Sequence, residues 1–295
     1  MHLDYPDCIR SIVQINLYRM ESATFKSRDG LQLSALYHPT ENSKYVICMV
    51  HGMGEHKGRY AHVADFFIQK GYSVALYDQR GHGESGGKRG HTPGLDFMLD
   101  DLEDFIKELR EWMPGKEVIL YGHSMGGNIV LNYALRRKPN IALLIASSPY
   151  IRLAFEPPAI KLFLAKTVGK IWPTLSQRTG LDPLAISRDL QVVEAYKADK
   201  LVHDFITPGF FNSVHFSGAY IMENFHKIHV PCLLFHGTED NLTNSAATTE
   251  VAGKSGGKAH LKLWTGLYHE CHNEPEKEQV LNYVIDWIDK EVNKK

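Results

Sequence analysis

Ser124 stands in Gly122-His-Ser-Met-Gly126, a serine with a glycine two residues away on either side. A serine hydroxyl is a weak nucleophile until a base takes its proton and a third group orients that base. The chemistry this pattern points to is acyl transfer through a serine ester. The glycines have a steric reason. A serine on a sharp strand-to-helix turn sits in strained backbone, and only hydrogen at the flanking Cα positions lets strand and helix approach closely. The apolar run at 118–121 and the helical pattern Ile129, Leu131, Tyr133, Ala134 and Leu135 supply that setting. The start of such a helix also favours negative charge developing beside the serine. G-x-S-x-G recurs by chance, and the strand before and helix after are what separate this instance from an accident.

The partners should lie in loops just after strands, because in a parallel sheet the site sits beyond the strands' carboxyl ends. With this motif they follow in the order Ser, then Asp or Glu, then His. Of the sixteen histidines, His269 in Leu267-Tyr-His-Glu270 follows a strand and precedes the last helix. Asp240 in Gly237-Thr-Glu-Asp-Asn-Leu242 follows the strand before it. Two other assignments compete: Asp240 as the cap of the next helix, and Glu239 as the orienting carboxylate. The tetrahedral intermediate needs N–H donors, and the motif supplies one from the residue after the nucleophile, Met125. The second candidate is the Met53 N–H in His51-Gly-Met-Gly54, whose other reading is a plain turn. His269-Glu-Cys-His272 resembles a metal cluster, but H-E-x-x-H requires histidines at i and i+4 and these stand at i and i+3. No metal and no cofactor is expected. Asp78-x-Arg80-Gly-His82-Gly reads as a hydrogen-bonded turn, and His123 as a packing residue.

The elements that must position these residues can be read in order. A hairpin is expected over 21–38 around Arg28-Asp-Gly30. Buried strands are expected at 45–50, 72–77, 118–121 and 231–237, and further strands at 141–146 and 261–264. Between them lie helices at 60–70, at Leu95 to Met113 by its apolar spacing, after Ser124, and near 245–251. A last helix carries Val280, Tyr283, Val284, Trp287 and Ile288, with Asn273 as its start and Glu276 three residues on. Strands alternating with helices argue an α/β fold with a mostly parallel sheet flanked by helices. The alternation breaks after Pro149 and resumes at Pro231. Residues 150–226 hold Pro157, Pro158, Pro173, Pro183 and Pro208 and no clear strand, and read as a helical insertion in a core formed by 1–149 and 227–295.

The chain has 295 residues, 43% hydrophobic and 23% charged, with a net charge of −1, so electrostatics give no case for nucleic acid. Cys8, Cys48, Cys232 and Cys271 are widely spaced and suggest free thiols in a reducing compartment. The N-terminus lacks the apolar run of a signal peptide, and no segment approaches the ~18 uninterrupted apolar residues that span a bilayer. A cytoplasmic location is expected, with peripheral membrane contact left open.

From about Phe25 onward the chain resembles the serine α/β-hydrolases, and within them the monoacylglycerol lipase and lysophospholipase group. The resemblance rests on His51-Gly-Met-Gly-Glu-His56 with Arg59 and Tyr60, and on Asp78-Gln-Arg-Gly-His-Gly-Glu-Ser85. It rests equally on Gly122-His-Ser-Met-Gly-Gly127, Gly237-Thr-Glu-Asp240, and Tyr268-His269 with His272. It implies the α/β-hydrolase fold, Ser124, Asp240 and His269 as triad, and the Met53 and Met125 N–H groups as oxyanion hole. It also implies that Glu55, Arg59 and His272 lie near the hydroxyls of a glycerol headgroup; the alternative is a surface ion pair of Glu55 with Arg59 at spacing i, i+4. Asn241-Leu-Thr-Asn244 lacks the cysteine some members carry there, so thiol-directed inhibition is not expected.

The insertion would act as a cap. Ile160, Phe163, Leu164, Val168, Ile171 and Trp172 form a helical stripe, with Lys161, Lys166 and Lys170 off it. Arched over Ser124, this stripe could wall an acyl chain at about 0.8 kcal/mol per buried methylene, or it could simply seal the core. Its lysines could rest on a membrane surface. The expected activity is hydrolysis of a lipid-like ester, monoacylglycerol to fatty acid and glycerol. A lysophospholipase, a broad carboxylesterase or a thioesterase are alternatives, and a non-catalytic binding protein on the same fold is the alternative from another class.

Overall fold

The structure, a computed structural model, describes residues 20–156, 160 and 167–294. Its strands are Glu21–Lys26 (β1), Gln32–His38 (β2), Tyr45–Val50 (β3), Ser73–Tyr77 (β4), Glu117–His123 (β5), Leu143–Ser147 (β6), Gln177–Arg178 (β7), Phe205–Ile206 (β8), Cys232–Gly237 (β9) and Ala259–Trp264 (β10). Eight of them form one sheet in the order β1-β2-β4-β3-β5-β6-β9-β10. The pairings β1 with β2 and β2 with β4 are antiparallel, and the rest are parallel.

The buried runs explain the layering. Strands β4, β6 and β9 are buried at every residue, which requires cover on both faces. In β3 the side chains alternate. Val46, Cys48 and Val50 join one core cluster while Ile47 and Met49 join the other. The first cluster is completed by helices Leu95–Trp112 (α2), Met125–Arg137 (α3) and Pro208–Asn224 (α5). The second is covered by Ala61–Gln69 (α1) and Lys277–Val292 (α7). In α2, Met98, Leu99, Leu102, Phe105, Ile106 and Leu109 are all buried, the stripe its spacing predicts. Full burial of each large apolar side chain contributes about 1.5–3 kcal/mol. Cys48, Cys232 and Cys271 are buried free thiols, and burial pushes each of them up.

Between β6 and β9 no described strand enters the large sheet. The segment holds Leu190–Ala198 (α4), α5, and the pair β7–β8, two residues each. A two-residue strand carries no periodicity, which is why the sequence gives no sign of it. Helix α5 begins where Pro208 occupies the first turn and Thr207 Oγ1 accepts the Phe210 N–H. Its Phe210, Val214 and Ile221 pack into the core with α2 and α3, and Ser217 Oγ donates to Asn128 Oδ1 at 2.7 Å. The later part of the insertion is thus built into the α/β layers.

One helix start differs from expectation. Residues Cys271–Asn273 form a short 3-10 turn and α7 begins at Lys277, with Glu276 before it. Asn273 does not cap that helix because its side-chain amide donates instead to Glu270 Oε2 at 2.7 Å.

Candidate active site

Ser124 is the residue between β5 and α3, at φ 53° and ψ −116°, a left-handed conformation rare for a residue with a side chain. The surroundings over-determine it. Its N–H donates to Ser147 O at 2.9 Å, and its carbonyl accepts from Asn128 and Tyr150 at 3.0 and 2.9 Å. The glycines do what close approach requires. A Cβ on Gly126 would lie 2.0 Å from Val50 O, and one on Gly122 would lie 2.4 Å from Gly126 O. Helix α3 can therefore start against the end of β3, and the half-buried Ser124 sits where that loop meets it.

His269 follows β10, and Asp240 follows β9. The two loops meet. His269 Nδ1 lies 2.7 Å from Asp240 Oδ2. The competing assignments fall away on geometry: Glu239 is exposed, and the helix Ser245–Gly253 (α6) is capped by Asn244, whose Oδ1 accepts the Ala247 N–H at 2.9 Å. Asp240 Oδ1 accepts the backbone N–H groups of Leu242 and Thr243 at 2.8 and 3.0 Å. Burial alone would raise the Asp240 carboxyl. The charge of His269 and the hydrogen bonds from His236 and His269 outweigh it and hold it well below the usual range. Burial would likewise lower His269, and the Asp240 carboxylate reverses that and raises it. His269 packs 4.8 Å, ring to ring, from His123, the neighbour of Ser124. Among the described residues no hydrogen bond joins the Ser124 hydroxyl to His269; such contacts are often long in unliganded sites and tighten with substrate. His123 itself is buried, and burial pushes it down to about 3, so it packs as a neutral ring.

The two candidate oxyanion donors are at one place. Met125 N–H is the first amide of α3, and the loop carrying Met53 lies against Ser124, since a Cβ on Gly52 would approach the Ser124 Cβ to 3.2 Å. Among the described residues neither amide donates a hydrogen bond to the protein. Glu55 fixes this loop, with its Oε1 accepting the Gly52 N–H at 2.5 Å and the Tyr60 hydroxyl at 2.8 Å.

Glu55 and Arg59 pair at 2.5 Å, but in the interior rather than on the surface. Arg59 also clamps Glu270 with two bonds of 2.7 Å, and the Tyr196 ring lies 4.7 Å from its guanidinium. Burial would raise Glu270, yet Arg59 holds it well below the carboxylate range. Sequence reasoning missed Glu270 because its neighbours His269 and His272 drew it into a metal pattern. His272 has no exposed surface; its ring stacks 5.1 Å from Tyr60 and lies edge-on, 4.8 Å from His123. Burial keeps it far below an ordinary histidine, so it is neutral. Arg59→Met is expected to strand two buried carboxylates and destabilise the fold by about 3–5 kcal/mol. Because Glu270 is depressed in the folded protein, its contribution is present above its ordinary value and fades as pH falls. Chemical unfolding at pH 7 and pH 4 should therefore show the gap between variant and wild type narrowing in acid.

The cap positions divide. Phe163 and Leu164 lie outside the described residues, Val168 is half-buried, and Ile160 and Ile171 are exposed, Ile171 at 80%. The insertion is tied to the loops that carry Asp240, His269 and Met53 at several points. Ala154 N–H donates to Leu242 O, Glu270 N–H donates to Ile186 O, His203 N–H donates to Gly54 O, and Asp199 meets His56 at 2.8 Å. Sequence offered no signal for these contacts.

Comparison with known proteins places the chain in a family. The family profile described as Hydrolase_4, serine aminopeptidase, S33, matches residues 41–276. The chain is 36% identical over 245 residues, 82% of its length, to an uncharacterized abhydrolase domain-containing protein of Dictyostelium discoideum, of which it spans only 26%. It is 35% identical over 255 residues to a monoacylglycerol lipase of Mycolicibacterium smegmatis, covering 86% of this chain and 91% of that one. The crystal structure of Paleococcus ferrophilus monoacylglycerol lipase superposes with a TM-score of 0.79 at 31% identity, covering 92% of this chain and 99% of that one. With its strained serine turn, its Asp–His pair and these relatives, the chain belongs to the Hydrolase_4 (serine aminopeptidase, S33) family of α/β-hydrolases.

Proposed function

We propose that this chain hydrolyses monoacylglycerols to fatty acid and glycerol through a serine ester on Ser124. The observation that carries this is the Asp240–His269 pair, held at 2.7 Å on loops that converge beside the strained Ser124 turn. As His269 Nε2 takes the hydroxyl proton, Ser124 Oγ bonds to the ester carbonyl carbon. The negative oxygen is received by the Met53 and Met125 N–H groups. His269 then protonates the departing glycerol oxygen, and a water molecule repeats the sequence to release the acid. Asp240 holds the imidazole in the tautomer with Nδ1–H and stabilises its charged form. The monoacylglycerol lipases at 35% and 31% identity support the substrate class.

Glu55, Arg59 and His272 form the polar side of the pocket in this proposal. Glu55 and Arg59 already have polar partners, so their first role is to hold the Gly52–Met53 loop. A glycerol hydroxyl would add to a Glu55–Arg59 pair that is already satisfied, beside His272, both of whose buried ring nitrogens lack a hydrogen-bond partner among the described residues. Residues 150–226 serve as the cap in this proposal, and of its expected acyl-chain wall Ile160, Val168 and Ile171 are among the described residues. The apolar surface there also suits a lipid surface: Trp172 and Leu175 are 62% and 45% exposed. No described helix is long and apolar enough to cross a membrane. Trp172→Glu with Leu175→Glu is expected to lower co-sedimentation with phosphatidylcholine vesicles by about tenfold, while turnover of a short soluble ester is kept. Equal sedimentation of variant and wild type would remove the membrane role.

The deciding experiment compares kcat/KM for monooleoylglycerol, lysophosphatidylcholine and a short nitrophenyl ester. Monooleoylglycerol is expected to lead; a lead for either of the others would transfer the activity to a lysophospholipase or a general esterase. The pH profile has a stated sign. His269 acts as base only when neutral, and Asp240 raises it above the ordinary value of about 6.5. kcat/KM should therefore fall as pH drops through a value above 6.5. A flat profile from pH 5 to 8 would remove His269 as base.

A further inference from the structure

Asp240 carries a second histidine that the proposed reaction does not use. His236 lies in β9 with no exposed surface, and its Nε2 is 2.9 Å from Asp240 Oδ2, the same oxygen that receives His269 Nδ1 at 2.7 Å. On its other side His236 Nδ1 lies 2.8 Å from Thr248 Oγ1 in α6. A carboxylate only accepts, so the nitrogen facing Asp240 must carry the proton. Nδ1 is then free to accept the Thr248 hydroxyl, which fixes that tautomer.

Five donors converge on one carboxylate. The Leu242 and Thr243 amides occupy Oδ1, while His269 Nδ1, His236 Nε2 and Thr243 Oγ1, the last at 2.8 Å, crowd Oδ2. A carboxylate offers about four lone-pair sites, so the donors on Oδ2 share its charge. Each one that binds withdraws negative charge from the oxygen that stabilises the protonated His269.

We propose that His236 is a positioning residue that tempers Asp240, sharing the carboxylate oxygen that holds His269 and so weakening the grip of that oxygen on the protonated imidazole. The inference rests on the serine-ester reading above. The groups facing His269 are Asp240, Thr243, His123 from the end of β5, Glu270 beside it, and Glu55 from the loop after β3. Of these, His236 touches Asp240 at 2.9 Å and Thr243, whose carbonyl and hydroxyl oxygens each lie 3.2 Å from its Nε2, and Asp240 is the charged one. Without the His236 donor the Asp240 carboxylate becomes more basic, holds the imidazolium more tightly, and delays the appearance of the free base until higher pH.

The test is the pH dependence of kcat/KM on monooleoylglycerol for wild type, His236→Phe and His236→Gln. Phenylalanine fills the space without a donor, and the glutamine amide reaches the position of Nε2. His236→Phe is expected to move the acid limb upward by about half a unit to one unit, and His236→Gln to restore it. A limb that stays in place or moves downward in His236→Phe, whatever happens to the plateau or the melting temperature, overturns the proposal, because a purely structural brace changes those and not the limb. Should His236→Phe fail to fold, the wild-type protein still decides. Nitrogen NMR of the His236 ring must show the proton on Nε2, and a proton on Nδ1 alone overturns the proposal. Asp240→Asn run beside these variants separates the two ideas. Activity retained there sinks the serine-ester reading itself, whereas activity lost there with an unmoved limb in His236→Phe sinks only the role of His236.

Discussion

Ser124→Ala should lower kcat by a factor on the order of 10⁶ and abolish covalent labelling by a fluorophosphonate probe. In the proposed mechanism the loss is large because the hydroxyl oxygen bonds to the carbonyl carbon, and no neighbouring group replaces it. Residual turnover would come from the Met53 and Met125 amides and from binding alone. The fold should be unaffected. Alanine meets the same φ of 53° that serine already tolerates, and the contacts that enforce it, to Ser147, Asn128 and Tyr150, are made by backbone atoms of residue 124. Thermal unfolding should therefore coincide with wild type while labelling disappears. Labelling that survives would place the nucleophile elsewhere.

Asp240→Asn should cost on the order of 10⁴ in kcat, and the structure says why an almost isosteric change is so damaging. The Leu242 and Thr243 amides both donate to the position of Oδ1, so the new carboxamide must place its oxygen there. Its NH₂ then takes the place of Oδ2 and points at His269 Nδ1. Two donors cannot face each other, so the imidazole must put its proton on Nε2, the nitrogen that should be empty to accept from Ser124. His236, which donates to the same spot, is turned to the wrong tautomer as well. kcat is the quantity to measure, across pH 6 to 9. A loss that recovers as pH rises would show that the tautomer is not what fails.

How much of this was legible beforehand varies element by element. The buried strands were legible because a run such as Cys232–Gly237 has no polar face, and only a sheet covered on both sides can accept it. The serine turn was legible because Gly122 and Gly126 answer a local steric demand. Asp240 was legible only by its place after a strand; its choice over Glu239 needed the exposure of one and the burial of the other. The Arg59 cluster was half-visible. Spacing i, i+4 gave the pair with Glu55, but put it on the surface, whereas the clamp on Glu270 comes from a loop 211 residues away. His236 carried no signal at all, since a histidine at the end of a buried strand is most simply a packed one.

The sequence by itself determined the α/β layering, the strained serine turn and the order in which Ser124, Asp240 and His269 follow their strands along the chain, because periodicity and glycine sterics act over a few neighbouring residues. Tertiary structure alone decided that five donors share the Asp240 carboxylate, that Arg59 sits between two buried acids, and that the insertion is tied to the loops carrying Asp240 and His269. Those outcomes depend on distances between segments far apart in the chain, set by how the sheet and its two helical layers pack, and no local pattern encodes them.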